Sequence, residues 1–261
     1  MTEKKLLTAH FFFRPQNMAY IYLYGAKVSF RDEDLFYQNA IVSPGKAVVT
    51  WEERHIETAD FVPNITMPRL AIGTKYQYQI ESEEQPVDSI ALALTTYDSS
   101  LEQRDYRIFT SKEGEFSLEP EEEKYRFDLA SMGNQKLYFQ HLLLAEVPVL
   151  DEYTFTVKDV GNIRTIWTHY NRRSEFMPVL NVCVRTHTST VQTISFKPQQ
   201  DNLFIFIPVQ INGQGQFSDE QIDAIVEYID EIRAQGYVLQ IENNQSTTSL
   251  VKAIQQNINN D

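Results

Sequence analysis

The chain has 261 residues, 42% of them hydrophobic and 12% aromatic. That is a globular composition, long enough to bury a proper core as one large or two ordinary domains, and it excludes global disorder. A net charge of −13, from 23 basic and 36 acidic residues, argues against nucleic acid or an anionic membrane as the main partner and suits basic or neutral ones, glycans among them.

Lys4 and Lys5 precede an apolar stretch that His10 interrupts and Arg14 ends. It is too short and broken for a signal peptide or a membrane-spanning helix, so the expectation is a soluble cytoplasmic protein. Residues 6–13 (LLTAHFFF) read as a first strand and 20–23 as a second. Residues 27–30, 35–37 and 46–51 are short runs rich in β-branched and aromatic residues, separated by turn formers, and each is too short for a helix. Ser43-Pro44-Gly45 fits a type II turn, Pro fixing φ at the second position and Gly accepting positive φ at the third. Residues 54–70 read as a long loop.

Alternation returns at 74–81, with Tyr76, Tyr78 and Ile80 on one face and Lys75, Gln77 and Gln79 on the other. A one-residue slip there puts three polar side chains into the core, so the register is fixed. Residues 89–97, 104–109, 115–118, 124–130 and 136–144 follow at the spacing of a sandwich. The fold expected is mainly β: an antiparallel jelly-roll β-sandwich over 1–149, followed by a smaller α/β unit over 150–261. In the second part, 153–157, 163–167, 179–185 and 191–196 fit strands, and the unbroken apolar run 203–207 fits a strand covered on both faces. Cys183, the single cysteine, lies in one of these apolar runs, so a disulfide is excluded and the thiol reads as buried and inert. A helix follows 203–207. Ser218 caps it, Gln221 closes a capping box, and Phe217 and Ile222 form a staple. Ile222, Ile225, Val226, Ile229 and Ile232 make its apolar stripe, and Gly236 ends it. Residues 237–241 are then a strand parallel to 203–207, and 249–258 a last short helix.

The segments YGAKVSF, YQNAIVSPGKAVVTW and PNITMPRLAIGTKYQYQIE, in that order, resemble the third accessory secretory protein family of the bacterial accessory Sec system, over roughly residues 8–146. The sequence departs from the family pattern at 52–60, where Ile56-Glu57-Thr58 stands. The resemblance implies a non-catalytic, carbohydrate-module-like subunit that is cytoplasmic and peripheral at the membrane through the export machinery. Its implied partners are two sister accessory proteins, an accessory SecA-type motor and serine-rich-repeat glycoprotein adhesins.

Three kinds of site can be weighed from the residues themselves. Gly213-Gln214-Gly215 between a strand and a helix echoes a dinucleotide fingerprint, but Asp219, Glu220 and Asp223 crowd the helix N-terminus and repel a pyrophosphate, so no cofactor is expected. No Gly-x-Ser-x-Gly elbow is present, and His10, His55, His141, His169 and His187 form no helical zinc pair, so no metal site is expected either. His169 and His187 with Arg172, Arg173 and Arg185 could form a small basic patch, and Glu121-Glu122-Glu123 reads as a solvated turn. Sugar binding needs an exposed aromatic platform beside polar groups. Trp51, Tyr97 and Tyr106 sit at strand ends with such neighbours and are the expected ligand contacts. The alternatives are a carbohydrate-active hydrolase or transferase with its site in the C-terminal half, and a scaffold that touches no sugar.

Overall fold

A computed structural model describes residues 6–15, 18–31, 34–52, 65–160, 163–172, 179–187, 190–208 and 219–242, with side chains lacking at 186, 187, 208, 219–222 and 242. The Gly213–Gly215 echo, the Ser218 cap, its capping box and staple, the 249–258 helix, and the 56–58 departure lie outside the described residues.

The chain divides into two compact units: Thr8–Val147 with Ser189–Ile194, and Pro148–Thr188 with Ser195–Asp261 and Met1–Leu7. The first unit holds a seven-stranded and a four-stranded sheet. In the larger, β10 (Lys136–Glu146) is the axis. β5 (Lys75–Gln85) pairs along the whole of one edge, and β8 (Glu113–Ser117) pairs β5. β1 (Leu7–Phe12) and β3 (Asp34–Gln38) divide the other edge, and β2 (Lys27–Arg31) continues from β3. The smaller sheet runs β4 (Ala47–Glu52), β9 (Lys124–Ser131), β6 (Ile90–Tyr97), β7 (Gln103–Phe109).

Alternation makes this a sandwich. Tyr76, Tyr78 and Ile80 are buried while Lys75, Gln77 and Gln79 are not, and the period continues through Ser82 and Glu84. Phe12, Leu35, Leu137 and Phe139 of one sheet share a core with Trp51, Leu92, Leu94 and Phe127 of the other. Phe12 meets Trp51 at 6.1 Å and Phe127 at 5.5 Å, both edge-on, the geometry that aromatic quadrupoles favour. Between β3 and β4, Lys46 N donates to Ser43 O at 3.1 Å with Gly45 at φ 82°, the turn expected from Pro44-Gly45. At Gly114 a methyl group would lie 2.8 Å from the Tyr78 ring, so this β8 position has no room for a side chain.

Three expectations are corrected, and one element is added. Residues 20–23 do not form a strand: a 3-10 turn over Met18–Tyr20 leads to a single bridge, Ile21 to Val49, and a turn with Gly25 at φ 70° ends the run. Residues 147–152 form a short helix, α1 (Val147–Glu152). β14 (Val191–Phe196) joins the seven-stranded sheet beside β1, and Ser189–Ile194 groups with the first unit rather than the second. Glu122 is no solvated turn residue. It is 4% exposed, where its carboxylate accepts from Thr96 Oγ1 at 2.6 Å, Glu119 N at 2.7 Å and Arg107 Nη2 at 2.9 Å.

The second unit has a five-stranded sheet ordered β11 (Tyr153–Val160), β12 (Ile163–Tyr170), β15 (Asp201–Pro208), β13 (Val179–His187), β16 (Val238–Glu242). β15 and β16 run in the same direction, as a crossover helix requires, but β13 lies between them and pairs both in parallel. Helix α2 (Asp219–Arg233) sets Ile225, Tyr228, Ile229 and Ile232 against Leu180, Val182, Val184, Leu203, Ile205 and Ile207. Phe204 and Phe206 are buried on the opposite face of β15, which explains its unbroken apolar sequence. Gly236, at φ 91°, closes the helix C-terminus.

Candidate functional site

Trp51 cannot be a sugar platform. It is fully buried, its Nε1–H donates to Phe13 O at 2.8 Å, and its ring meets Phe139 at 5.5 Å. Alternation along β4 decides this: Val49 and Trp51 point into the sandwich, leaving Thr50 and Glu52 outside.

Tyr97 and Tyr106 do share a face, the outer side of the four-stranded sheet. Register places Glu52, Arg126, Thr95 and Tyr106 in one cross-strand row and Thr50, Asp128, Ala93 and Ile108 in the next. Tyr97 lies two residues beyond Thr95 on the same side, and Tyr106 is 45% exposed. The polar groups beside them are already engaged. Asp128 accepts from Thr50 Oγ1 at 2.6 Å and Arg126 Nε at 2.9 Å. Asp98 accepts from Ser100 N, Glu102 N and Arg104. Asp105 takes its own chain at Tyr106 N, and Arg107 points through the sheet to Glu122. Burial raises the Tyr97 pKa; the Arg126 charge opposes this, and Glu52 and Asp128 reinforce it.

The outer face of the seven-stranded sheet carries a feature that composition and position along the chain did not point to. A cleft of about 590 Å³ lies over β2, β3, β10 and β5, a size typical of a small-ligand site. Register builds it from two rows: Ser29, Phe36, Tyr138 and Glu83, then Lys27, Gln38, Lys136 and Gln85. Phe36 and Tyr138 stack at 4.5 Å and 28°, and Phe36 is 36% exposed. The Tyr138 hydroxyl donates to Asp34 and accepts from Gln140 Nε2 at 3.4 Å. Burial, followed by the Asp34 hydrogen bond and charge, raises the Tyr138 pKa, so it stays a neutral phenol. The sequence did hold a signal. In Asp34-Leu35-Phe36-Tyr37-Gln38 and Lys136-Leu137-Tyr138-Phe139-Gln140 the flanking apolar residues must face the core, which turns the middle aromatic out.

Other expected residues take structural roles. Cys183 is buried. His141 packs between Phe11 and Phe13 at 5.6 and 6.1 Å, His169 stacks on Trp167 at 4.6 Å, and Arg185 lies over Phe204. Arg173 lies outside the described residues, as does the His187 side chain. Among the described residues, no three His, Cys, Asp or Glu side chains gather as metal ligands do, and no helix is long and apolar enough to cross a membrane.

The family described as "Accessory Sec secretory system ASP3" matches residues 21–146, nearly all of the sandwich. Over that span, just under half of the chain, the sequence is similar to the ASP3 family. No curated protein matches it. Among solved structures it is similar to the Glycosylation Associate Protein (Gap123) complex of Streptococcus agalactiae, at 14% identity and a TM-score of 0.51, covering 95% of this chain and 75% of that one. It is also similar to accessory secretory protein 1, 2 and 3 of Streptococcus pneumoniae, at 21% identity and a TM-score of 0.48, covering 56% of this chain and 99% of that one. A third match, the CBM22-1 xylan-binding domain from Paenibacillus barcinonensis, has 10% identity and a TM-score of 0.31, covering 56% of this chain and 98% of that one. The region similar to this accessory Sec family is the two-sheet sandwich.

Proposed function

We propose that this chain belongs to the ASP3 family and is a non-catalytic subunit of an accessory Sec export complex, which binds glycosylated serine-rich-repeat adhesins and helps deliver them for secretion. The observation that carries this reading is the family match across the sandwich, residues 21–146. Two of the similar structures bear names of three-protein assemblies, which supports two sister accessory proteins as direct partners. The accessory SecA-type motor is a further partner, met in the cytoplasm at the membrane surface. The sandwich, residues 1–149, serves as the carbohydrate-module-like part and 150–261 as a second unit. Tyr97 and Tyr106 stay proposed ligand contacts, and Trp51 acts only through the core.

The test is a pull-down with the purified chain against the two sister proteins and a serine-rich adhesin fragment, glycosylated and bare. Capture of a sister protein together with preference for the glycosylated fragment is the expected result. Capture of the sister with no glycan preference reduces the chain to a scaffold, and capture of neither overturns the export reading.

A further inference from the structure

We infer that the cleft over β2, β3, β10 and β5 is a saccharide site that takes a neutral pyranose, with Phe36 as its stacking platform. The inference rests on the glycan-binding reading above and gives it a second place, apart from the Tyr97–Tyr106 face.

The arrangement of the first row supplies the platform. Tyr138 covers one side of the Phe36 ring, and on the other side the register neighbour is Ser29. A serine hydroxymethyl is too short to cover a phenyl face, and Phe36 is 36% exposed, which leaves ring surface for a ligand above β2. A pyranose presents a patch of C–H bonds on one side and hydroxyls around its rim. The C–H patch suits the exposed ring surface, and the rim needs hydrogen-bonding groups beside it rather than beneath it.

The second row supplies those groups. Lys27, Gln38, Lys136 and Gln85 stand one two-residue step along the strands from the aromatics, roughly 6–7 Å away, about the width of one sugar ring. All four are exposed, and among the described residues none has a side-chain hydrogen bond or ion pair. This separates the cleft from the opposite sheet, where Asp128, Asp98, Asp105 and Arg107 have partners already. Two amides that both donate and accept are the usual complement of hydroxyls, which do the same.

Charge and edge geometry exclude the competing occupants. Lys27 and Lys136 stand with Glu83, and Arg31 opposes Asp34 one row on, so the cleft offers no single-sign field for a phosphate. An extended peptide gains its affinity by adding a strand to an open edge. β3 and β10, which floor the cleft, are paired on both edges, whereas β2 ends the sheet order. An occupant over β3 and β10 is held by side chains, which favours stacking and hydroxyl recognition, and the bare peptide probe tests addition to β2.

The experiment is calorimetric or ligand-observed titration of the full chain with three probes: a β-linked N-acetylglucosamine trisaccharide, a serine-rich peptide carrying one O-linked N-acetylglucosamine, and the bare peptide. The chain is expected to bind the two glycan probes and not the bare peptide. Phe36→Ala weakens glycan binding about tenfold, the equivalent of one aromatic contact. Phe36→Tyr retains it, and Ile72→Ala, an exposed residue outside the cleft, leaves it unchanged. A Phe36→Ala protein that melts like the wild type yet binds glycan as well overturns the site while leaving the glycan reading intact, as does loss confined to Tyr106→Ala. If the wild-type chain binds neither glycan probe, or binds the bare peptide equally, the saccharide assignment fails, and the pull-down with the sister proteins then judges the export reading by itself.

Discussion

Two sets of aromatic residues in the sandwich have similar chemistry and opposite roles. Phe12, Trp51, Phe127 and Phe139 point inward, are fully buried and meet edge-on or tilted at 5.5–6.1 Å. Phe36 and Tyr138 belong to strands of the same sheet as Phe12 and Phe139, yet stand outside, stacked on each other at 4.5 Å with Phe36 36% exposed. Neither residue type nor position at a strand end separates the sets. The two-residue period does, because a residue between two core-facing neighbours has to face out. The comparison therefore predicts a double dissociation: inner-set changes cost stability, and outer-set changes cost binding.

Trp51→Ala is the strongest way to break the comparison. It empties the largest fully buried side chain and leaves Phe13 O without its donor. A loss of about 3–5 kcal/mol is expected in urea or guanidinium unfolding, as for other buried aromatic truncations. An unchanged midpoint with weakened glycan binding would return Trp51 to the list of ligand contacts and erase the distinction.

His10 tests the same inward face through pH. It lies on the side of β1 that carries Phe12, its Nδ1 is 3.0 Å from Thr193 Oγ1 on β14, and burial lowers its pKa from 6.5 to about 4. Above pH 6.5 the ring is neutral in both folded and unfolded chains, and its contribution is fully present. Between 6.5 and 4 the unfolded chain takes up the proton first, so stability falls as pH falls, by about 3 kcal/mol over that window. His10→Gln removes this part of the dependence. The check is the difference between the two proteins' stability-against-pH curves, which cancels carboxylate titration common to both. Parallel curves would mean that the β1–β14 seam opens to water.

Much of the sandwich was legible because its strands obey one local rule. The strand expected over 74–81 reads correctly from alternation and only stops short of Gln85. The turn at Pro44-Gly45 and the Ile225, Val226, Ile229 and Ile232 part of the α2 stripe are also as expected. What was not legible depended on non-local pairing. Residues 191–196 have ordinary strand chemistry, and nothing in them says that their partner is β1 across the chain rather than a neighbour in the second unit. Glu122 sits in a run of three glutamates that looks solvated, and only the approach of Arg107 and Thr96 buries it. Of the expected site, Tyr97 and Tyr106 share the outer face of one sheet, which their sequence positions alone did not say, whereas Trp51 was assigned by its polar neighbours in sequence, and the period along β4 overrules them.

That buried pair gives an intermediate test. Arg107→Met strands a carboxylate that is 4% exposed. About 2 kcal/mol is expected, less than the 3–5 typical of a fully buried pair, because the Arg107 side chain is 25% exposed and Thr96 Oγ1 and Glu119 N still donate to Glu122. Adding Glu122→Gln should recover part of the loss, since the double variant no longer buries an uncompensated charge. A double variant worse than the sum of the singles would show that Arg107 acts through packing rather than charge.

The smallest expected stability effect belongs to the residue with the largest expected binding effect. Phe36→Ala removes a ring that is 36% exposed and loses one face-to-face contact with Tyr138. Phe36 contributes nothing to the sandwich core, whose cluster holds Leu35 and Tyr37 from the same strand but not the residue between them. The cost should stay near 1 kcal/mol, the scale of one aromatic pair, and Tyr138 keeps its hydrogen bond to Asp34. A loss of several kcal/mol would mean that the Phe36–Tyr138 stack clamps β3 to β10 as a structural fastening. The exposed ring surface would then be incidental, and the inner and outer aromatics would be one set doing one job.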